Sequence, residues 1–168
     1  QLNLKMGGPS IYTEVPKDVL ATASRPGAAW GKSPVEERNR RSVYIYVKRS
    51  LHEPFLSAFD WADTDNTCDV RFVTTVPTQT LTLLNSKFLN DSAESLAKSL
   101  AKAVPGDSKA QVTRALHLAT SRKPTGEEVD DGLELIHGLK AEAKLDDNEA
   151  LQRFCLLVLN LNEFLYLD

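Results

Sequence analysis

The sequence predicts an α-rich α+β fold, in which a small element of two β-strands packs on a C-terminal array of four or five helices. Apolar residues alternate over Ser42–Lys48 and β-branched residues fill Arg71–Val76, which favours two strands. After Pro77, apolar residues recur at helical spacing to the end of the chain. Because 168 residues with 42% hydrophobic side chains can bury a core, we expect a single domain over residues 1–168.

The first part of this domain, residues 1–35, is rich in glycine, proline and serine. Gly7-Gly8-Pro9, Pro26-Gly27 and Ser33-Pro34 interrupt regular structure, so we expect an ordered segment that wraps over another surface. Trp30 carries a large amphipathic ring in this segment. Such a ring usually packs on the core, and Trp30 is therefore predicted to anchor the wrap.

Residues 36–76 hold the predicted β element and an acidic loop. Within Ser42–Lys48 aliphatic side chains alternate with two tyrosines, which predicts a strand that is covered on both faces. Its natural partner is Arg71–Val76. The connection over residues 50–70 is too long for a tight hairpin, and a short helical turn is expected within it around Phe55.

Residues 77–168 are predicted to form the helical array. The final helix should be its most central member, because Phe154–Leu159 is apolar on all sides. Boundaries follow from breaks and capping patterns. They are a break at Asn85-Ser86, an end at Pro105-Gly106, capping boxes at Ser108 with Gln111 and at Thr125 with Glu128, and a final helix from Asn148 to Leu165.

Composition argues against several classes of protein. A net charge of −3 does not favour a nucleic-acid binder, since phosphate neutralisation needs a basic face. No apolar run reaches the length of a membrane span. The three histidines and two cysteines show neither zinc-ligand spacing nor a haem-attachment motif, so we expect no metal and no cofactor in this chain. Cys68 and Cys155 are more typical of a loop thiol and a core thiol than of a disulfide.

An acidic loop extends from Asp60 to Asp69 and could hold calcium or share a proton between carboxylates. An EF-hand starting at Asp63 would place Cys68 where glycine is needed and Thr74 where a bidentate glutamate is needed. That motif fails. Turn formation and helix capping explain the loop more simply, and an irregular calcium site is the alternative.

Arginines that frame the two predicted strands are the strongest polar feature of the sequence. Their planar forks could bind an anionic sugar, a sulfate or an acidic partner, or could pair with aspartates of the acidic loop. The similar number of opposing charges favours the internal network. The candidate ligand site consists of Arg40, Arg41, Arg49, Asp60, Arg71, Gln79 and Asn85.

Separated motifs, in order along nearly the whole chain, carry a family resemblance. They are Gly7-Gly8-Pro9, Arg40-Arg41-Ser42-Val43-Tyr44, Arg49, Pro54, Phe59-Asp60, Arg71, Thr74-Thr75-Val76-Pro77-Thr78-Gln79-Thr80-Leu81, Leu84-Asn85 and the closing Leu159–Tyr166. In these motifs the chain resembles a planctomycete-specific C-terminal domain of unknown function, the PSD-type domain found with planctomycete cytochrome-c-like domains.

This resemblance implies an exported, periplasmic setting within a large multidomain protein. It implies haem c on other domains of that protein and supplies no catalytic residues. Members of the family usually extend upstream of the Gly-Gly-Pro motif with a helical, histidine-containing portion. We therefore expect this chain to be the C-terminal part of a longer domain.

Two functions compete on this evidence. The first is a non-catalytic structural or interaction module, whose partners are the other domains of the parent polypeptide. The alternative is a carbohydrate- or anion-binding site, or a carbohydrate-active one, built on the arginine and aspartate cluster. Glycoside hydrolysis would need two carboxyl groups about 5 to 10 Å apart in an open cleft, and Asp60 with Asp65 is the obvious pair.

Overall fold

The chain divides into two compact units, residues 1–75 and residues 76–168. The computed structural model describes residues 2–23, 28, 30–61, 67 and 77–166. The described part of the first unit contains only short helices joined by non-helical segments, whereas longer helices dominate the described part of the second. Each unit has buried apolar side chains of its own.

Three short helices and one 3-10 turn are described over their full length in the first unit. They are α1 (Lys17–Ala21), α2 (Val35–Arg38), α3 (Pro54–Ser57) and the 3-10 turn Ser42–Tyr44. Each α-helix has proline at its N-cap or first turn, where the missing N–H costs no helical hydrogen bond. Helix α3 confirms the helical turn predicted around Phe55.

The predicted two-stranded β element is wrong, and the described part of the chain contains no β-strand. Ser42–Tyr44 turns as a 3-10 helix, and the extended backbone that follows pairs with residue 11. The Ile11 N–H donates to the Tyr44 carbonyl at 2.8 Å, and the Tyr46 N–H donates to the Ile11 carbonyl at 2.8 Å. The predicted partner, Arg71–Val76, lies outside the described residues.

The alternating pattern failed as a strand signal because its aliphatic residues do not form a buried face. Val43 is 76% exposed and Val47 is 51% exposed, so the alternation does not mark a covered sheet. The buried apolar residues described in this unit are Ile11, Val15 and Leu51. Segment 2–15 crosses 39–46 through two isolated parallel bridges, Asn3 with Arg40 and Ile11 with Ile45. The fold class is therefore helical rather than α+β.

Over residues 77–166 the second unit contains six helices: α4 (Pro77–Asn85), α5 (Lys87–Ala103), α6 (Ser108–Thr120), α7 (Gly126–Glu142), α8 (Asp147–Val158) and α9 (Asn162–Leu165). Helix α8 packs against α5, α6 and α7, which confirms that the last long helix is central. It ends at Val158, and residues 162–165 form the separate α9. The core residues of this unit include Leu83, Leu100, Val112, Phe154, Cys155 and Val158.

Side-chain caps set several of these helix boundaries. Thr125 and Glu128 form the predicted capping box of α7, and a second box joins Asp146 to Glu149 at the start of α8. The box predicted at Ser108 is wrong, because Asp107 caps α6 by accepting from the Ala110 N–H at 2.9 Å. The predicted break after Asn85 is confirmed by the end of α4.

Candidate functional site

Arg40 is the centre of the polar cluster in the first unit, and its side chain is only 1% exposed. Its Nε donates to the Lys5 carbonyl at 3.2 Å, and its Nη2 donates to the Gly7 carbonyl. Nη1 lies 3.4 Å from both the Pro9 carbonyl and a carboxylate oxygen of Glu37. The guanidinium therefore donates its hydrogen bonds to three backbone carbonyls and one carboxylate of its own unit.

Tyr44 completes this arrangement. The Arg40 Cζ lies 3.9 Å from the centroid of the Tyr44 ring, a cation–π contact, and the Tyr44 hydroxyl accepts from the Gly7 N–H at 3.0 Å. Gly7 and Gly8 have φ of 73° and 83°, in the left-handed region that favours glycine. We call Arg40, Glu37, Tyr44 and the backbone of residues 5–9 the Arg40 clamp.

Two further side chains fix residues 2–9 along residues 36–40. Lys5 pairs with Glu37 at 2.8 Å, and the Asn3 side-chain amide donates to the Glu36 carbonyl at 2.8 Å. The Asn3 N–H donates to the Asn39 carbonyl at 2.9 Å. The hydrogen bond from Lys5 is the main reason that the pKa of Glu37 is lowered, with the charges of Lys5 and Arg40 acting in the same direction.

Among the charged members of the predicted cluster that the structure describes, Arg41, Arg49 and Asp60 form no hydrogen bond or ion pair with the Arg40 side chain. Arg41 is exposed, and no ion pair links it to another described residue. Arg49 is also exposed, whereas Asp60 is half-buried in the left-handed region at φ 54°. Arg71 lies outside the described residues, as do Asp63, Asp65 and Cys68.

Gln79 and Asn85 belong to the second unit, where both are placed by α4. Gln79 is 2% exposed, and its side-chain oxygen accepts from the Tyr166 hydroxyl at 2.9 Å. Asn85 is exposed at the end of α4, and its amide donates to the Leu81 carbonyl at 2.9 Å. As a ligand site, the seven-residue set stays a prediction.

A shallow groove in the first unit was not predicted from the sequence. Its walls include Tyr46, Lys48, His52, Glu53 and Trp61. Burial raises the pKa of Glu53, and the backbone N–H of Leu56, which donates to its carboxylate at 2.8 Å, acts in the opposite direction. That bond caps α3, so the carboxylate already has a structural role.

Three aromatic rings pack together beside this groove. Tyr12 meets Trp30 edge to face with ring centroids 5.5 Å apart, and its centroid lies 5.0 Å from that of Tyr46. The Trp30 indole N–H donates to the Thr13 carbonyl at 2.9 Å. Trp30 therefore anchors segment 11–15, as predicted.

An exposed apolar edge is the feature that sequence reasoning missed. We define it as residues 2–6, in which Leu2, Leu4 and Met6 are 57%, 74% and 79% exposed. Asn3 and Lys5 alternate with them and are held by residues 36–39. The period-two pattern of Leu2, Leu4 and Met6 was a usable signal, but residues 1–35 were interpreted only as a segment that wraps over another surface.

The described residues contain neither a candidate metal-binding cluster nor a candidate membrane-spanning helix. Across residues 2–23, 28, 30–61, 67 and 77–166, no three His, Cys, Asp or Glu side chains cluster in a way that could hold a metal ion. None of the helices described is both long and apolar enough to cross a membrane. Cys155 is a buried free thiol in α8, and burial raises its pKa to about 12.

Residues 1–136 match the protein family described as "PSD1: Protein of unknown function (DUF1553)". The chain belongs to this family. The PSD1 match takes in the Arg40 clamp and the exposed apolar edge, and it ends within α7. It confirms the resemblance to a domain of unknown function. No similar protein is found among curated proteins or among solved structures.

Proposed function

We propose that this PSD1 chain is a non-catalytic interaction module, which binds other domains of a larger polypeptide through the exposed apolar edge. The observation that carries the proposal is the exposure of Leu2, Leu4 and Met6 on a segment that the rest of the unit holds in place. Neighbouring apolar side chains left in water on an ordered surface are typical of interaction sites.

The Arg40 clamp supports this function because its polar side chains bind residues of the same unit and hold segment 2–9 in place, which leaves them occupied rather than open to a ligand. Arg40 fixes the carbonyls of residues 5, 7 and 9, and Lys5 is tied to Glu37. The polar side of segment 2–9 is thereby occupied by residues of the same unit. Its aliphatic side is left exposed, and an ordered edge loses little conformational entropy when a partner binds.

The setting that we propose for this module follows the family resemblance. It is an exported, periplasmic polypeptide that also carries cytochrome-c-like domains. Haem c would belong to those other domains, and this chain would supply contacts rather than a cofactor. The exposed edge then serves assembly of the parent polypeptide.

Binding between this chain and the remaining domains of its parent polypeptide, produced as a separate protein, tests the proposal. We expect measurable association by calorimetry and a loss of roughly 10- to 100-fold in affinity for the double variant Leu4→Ser/Met6→Ser, because two aliphatic side chains no longer bury apolar area. Val43→Ser is the matched control, since Val43 is 76% exposed in the same unit but lies off the edge. Absence of association, or equal loss in both variants, would refute the proposal.

A carbohydrate- or anion-binding site, or a carbohydrate-active one, on the arginine and aspartate cluster is the second candidate. The observation that favours it is the exposed guanidinium of Arg41, which has no ion pair with another described residue. Arg40 could contribute only by leaving the four oxygen atoms that it already contacts. An array of sulfated and neutral polysaccharides, screened with the wild type and Arg41→Ala, separates this candidate from the interaction module.

A further inference from the structure

We propose that the exposed apolar edge receives an extended peptide segment by β-strand addition, with Leu4 as the central pairing residue. This inference rests on the proposed function and names the chemistry of its partner. Two properties distinguish the edge from an ordinary exposed apolar patch. Its even-numbered residues have unpaired backbone groups, and its apolar and polar side chains alternate.

The backbone groups of the even-numbered residues point away from the rest of the unit. Asn3 forms a parallel bridge with Arg40, and its N–H donates to the Asn39 carbonyl. The carbonyls of residues 5 and 7 point to the same side, where Arg40 binds them. Across a planar trans peptide the carbonyl of one residue and the N–H of the next point in opposite directions, so the Leu2 carbonyl, the Met6 N–H and the Met6 carbonyl point away from Asn39, Arg40 and Tyr44. The Lys5 N–H donates to the Asn3 Oδ1 at 3.0 Å, and the Leu4 carbonyl points away from that side chain.

These outward groups are unpaired within the described chain. Neither the N–H nor the carbonyl of Leu2, Leu4 or Met6 takes part in a hydrogen bond with a described residue. A row of unpaired donors and acceptors on an extended segment is a template for a further strand. Neither a lipid surface nor a flat apolar protein surface offers the alternating amides and carbonyls of a neighbouring backbone, about 4.8 Å from the edge, that would pair with this row.

The side chains define the partner further. Leu2, Leu4 and Met6 share one face of the edge and are all apolar, so the incoming strand should present aliphatic residues at alternating positions. Lys5, the one charged residue of the edge, already pairs with Glu37. The partner therefore needs no compensating charge. Gly7 and Gly8, with φ of 73° and 83°, turn the chain and end the pairing edge after Met6.

The test uses the hexapeptide acetyl-Thr-Val-Thr-Val-Thr-Val-amide as a probe of strand addition. The isotope-labelled chain is titrated with this peptide while its amide resonances are followed by nuclear magnetic resonance. We expect saturable shifts at Leu2, Leu4 and Met6, with a dissociation constant of roughly millimolar because the edge is short. The same peptide with every backbone nitrogen methylated should cause no such shifts, since it cannot donate to the edge.

Two substitutions at one position separate backbone pairing from side-chain contact. Leu4→Ala keeps the outward N–H and should weaken peptide binding about two- to five-fold, whereas Leu4→Pro removes that N–H and should abolish binding. The Gly7 amide resonance, which reports its bond to the Tyr44 hydroxyl, should be unchanged in both variants and verifies that the clamp is intact.

Strand addition is refuted if the peptide causes no saturable shifts at the edge, if the methylated peptide binds equally, or if Leu4→Pro binds as well as Leu4→Ala. Each of these results leaves the interaction module standing, provided that the chain still associates with the remaining domains and loses affinity in Leu4→Ser/Met6→Ser. Failure of that association refutes the proposed function separately.

Discussion

Arg40 shows how a single buried arginine can organise a segment that contains almost no regular structure. Its planar fork reaches carbonyls at residues 5, 7 and 9 together, and it stacks on Tyr44. Lysine is a compact point charge and cannot match this geometry. Together with Asn3 and Lys5, Arg40 therefore holds the apolar edge in place in the first unit.

Arg40→Lys should lower the free energy of unfolding of the first unit by roughly 2–4 kcal/mol, because a side chain that is only 1% exposed loses several charged hydrogen bonds. Both tryptophans, Trp30 and Trp61, lie in this unit, so tryptophan fluorescence during denaturation reports it selectively. Arg41→Lys is the matched control and should change stability by less than about 0.5 kcal/mol, since Arg41 is exposed. Equal effects of the two substitutions would contradict a structural clamp.

In the second unit, Arg122 links the start of α7 to α9. It forms two hydrogen bonds with Glu128, at 3.0 and 2.6 Å, and contacts both carboxylate oxygens of Glu163 at 3.0 Å. The bond from Arg122 is the largest cause that lowers the pKa of Glu128 to about 2, and the Thr125 N–H adds to it. The pKa of Arg122 is raised in turn, chiefly by Glu128.

This pair predicts a dependence of stability on pH. A carboxyl group whose pKa is lower in the folded state stabilises that state above its unfolded pKa of about 4.5, and the contribution disappears as the pH falls towards 2. The stability of the second unit, followed by circular dichroism, should therefore decline over this range. Glu128→Gln should make the decline shallower. An unchanged pH profile in that variant would show that other carboxylates dominate.

Among the helices, α7 depends on a glycine where it meets its neighbours. A Cβ added at Gly132 would lie 2.8 Å from Val112 Cγ1 and 2.9 Å from Phe154 Cε2, and both side chains are fully buried. The same helix contains Gly138, where an added Cβ has no atom within 4 Å. The absence of a side chain at Gly132 therefore permits close packing of α7 on α6 and α8.

Gly132→Ala should destabilise the second unit by about 1–3 kcal/mol, because overpacking outweighs the better helix propensity of alanine. Gly138→Ala should instead stabilise it by up to about 1 kcal/mol, since only the propensity changes. Denaturant titrations followed by helical circular dichroism give both values. A stabilised Gly132→Ala variant would mean that Val112 and Phe154 can move apart.

Helix boundaries were predictable where local chemistry decides them. Thr125 with Glu128 caps α7 as expected, because a capping box needs only neighbouring residues. Ser108 was the wrong cap for α6 since Asp107, one residue earlier, also has a side-chain oxygen that can accept from the first turn. The strand prediction failed for a different reason, because alternation over Ser42–Lys48 cannot tell a buried face from an exposed one.

At the scale of the whole molecule, the two units differ in how they are stabilised. The second is a helical array around α8, with the apolar core that its sequence pattern indicated. Among its described residues the first has few buried apolar side chains, and these residues are held by Arg40, by three packed aromatic rings and by backbone hydrogen bonds between distant segments. Its candidate site could therefore be anticipated only in part, from the arginines and from Trp30.

The sequence by itself determined the long helices, several of their caps, the central position of the last long helix and membership of the family, because these depend on local periodicity and on motifs. Only the tertiary structure decided that Arg40 faces inward and that Leu2, Leu4 and Met6 face outward. Residues 5 and 40 are far apart along the chain, and a guanidinium can bind a ligand or its own backbone equally well. Which acceptors surround it is fixed by the path of the folded chain.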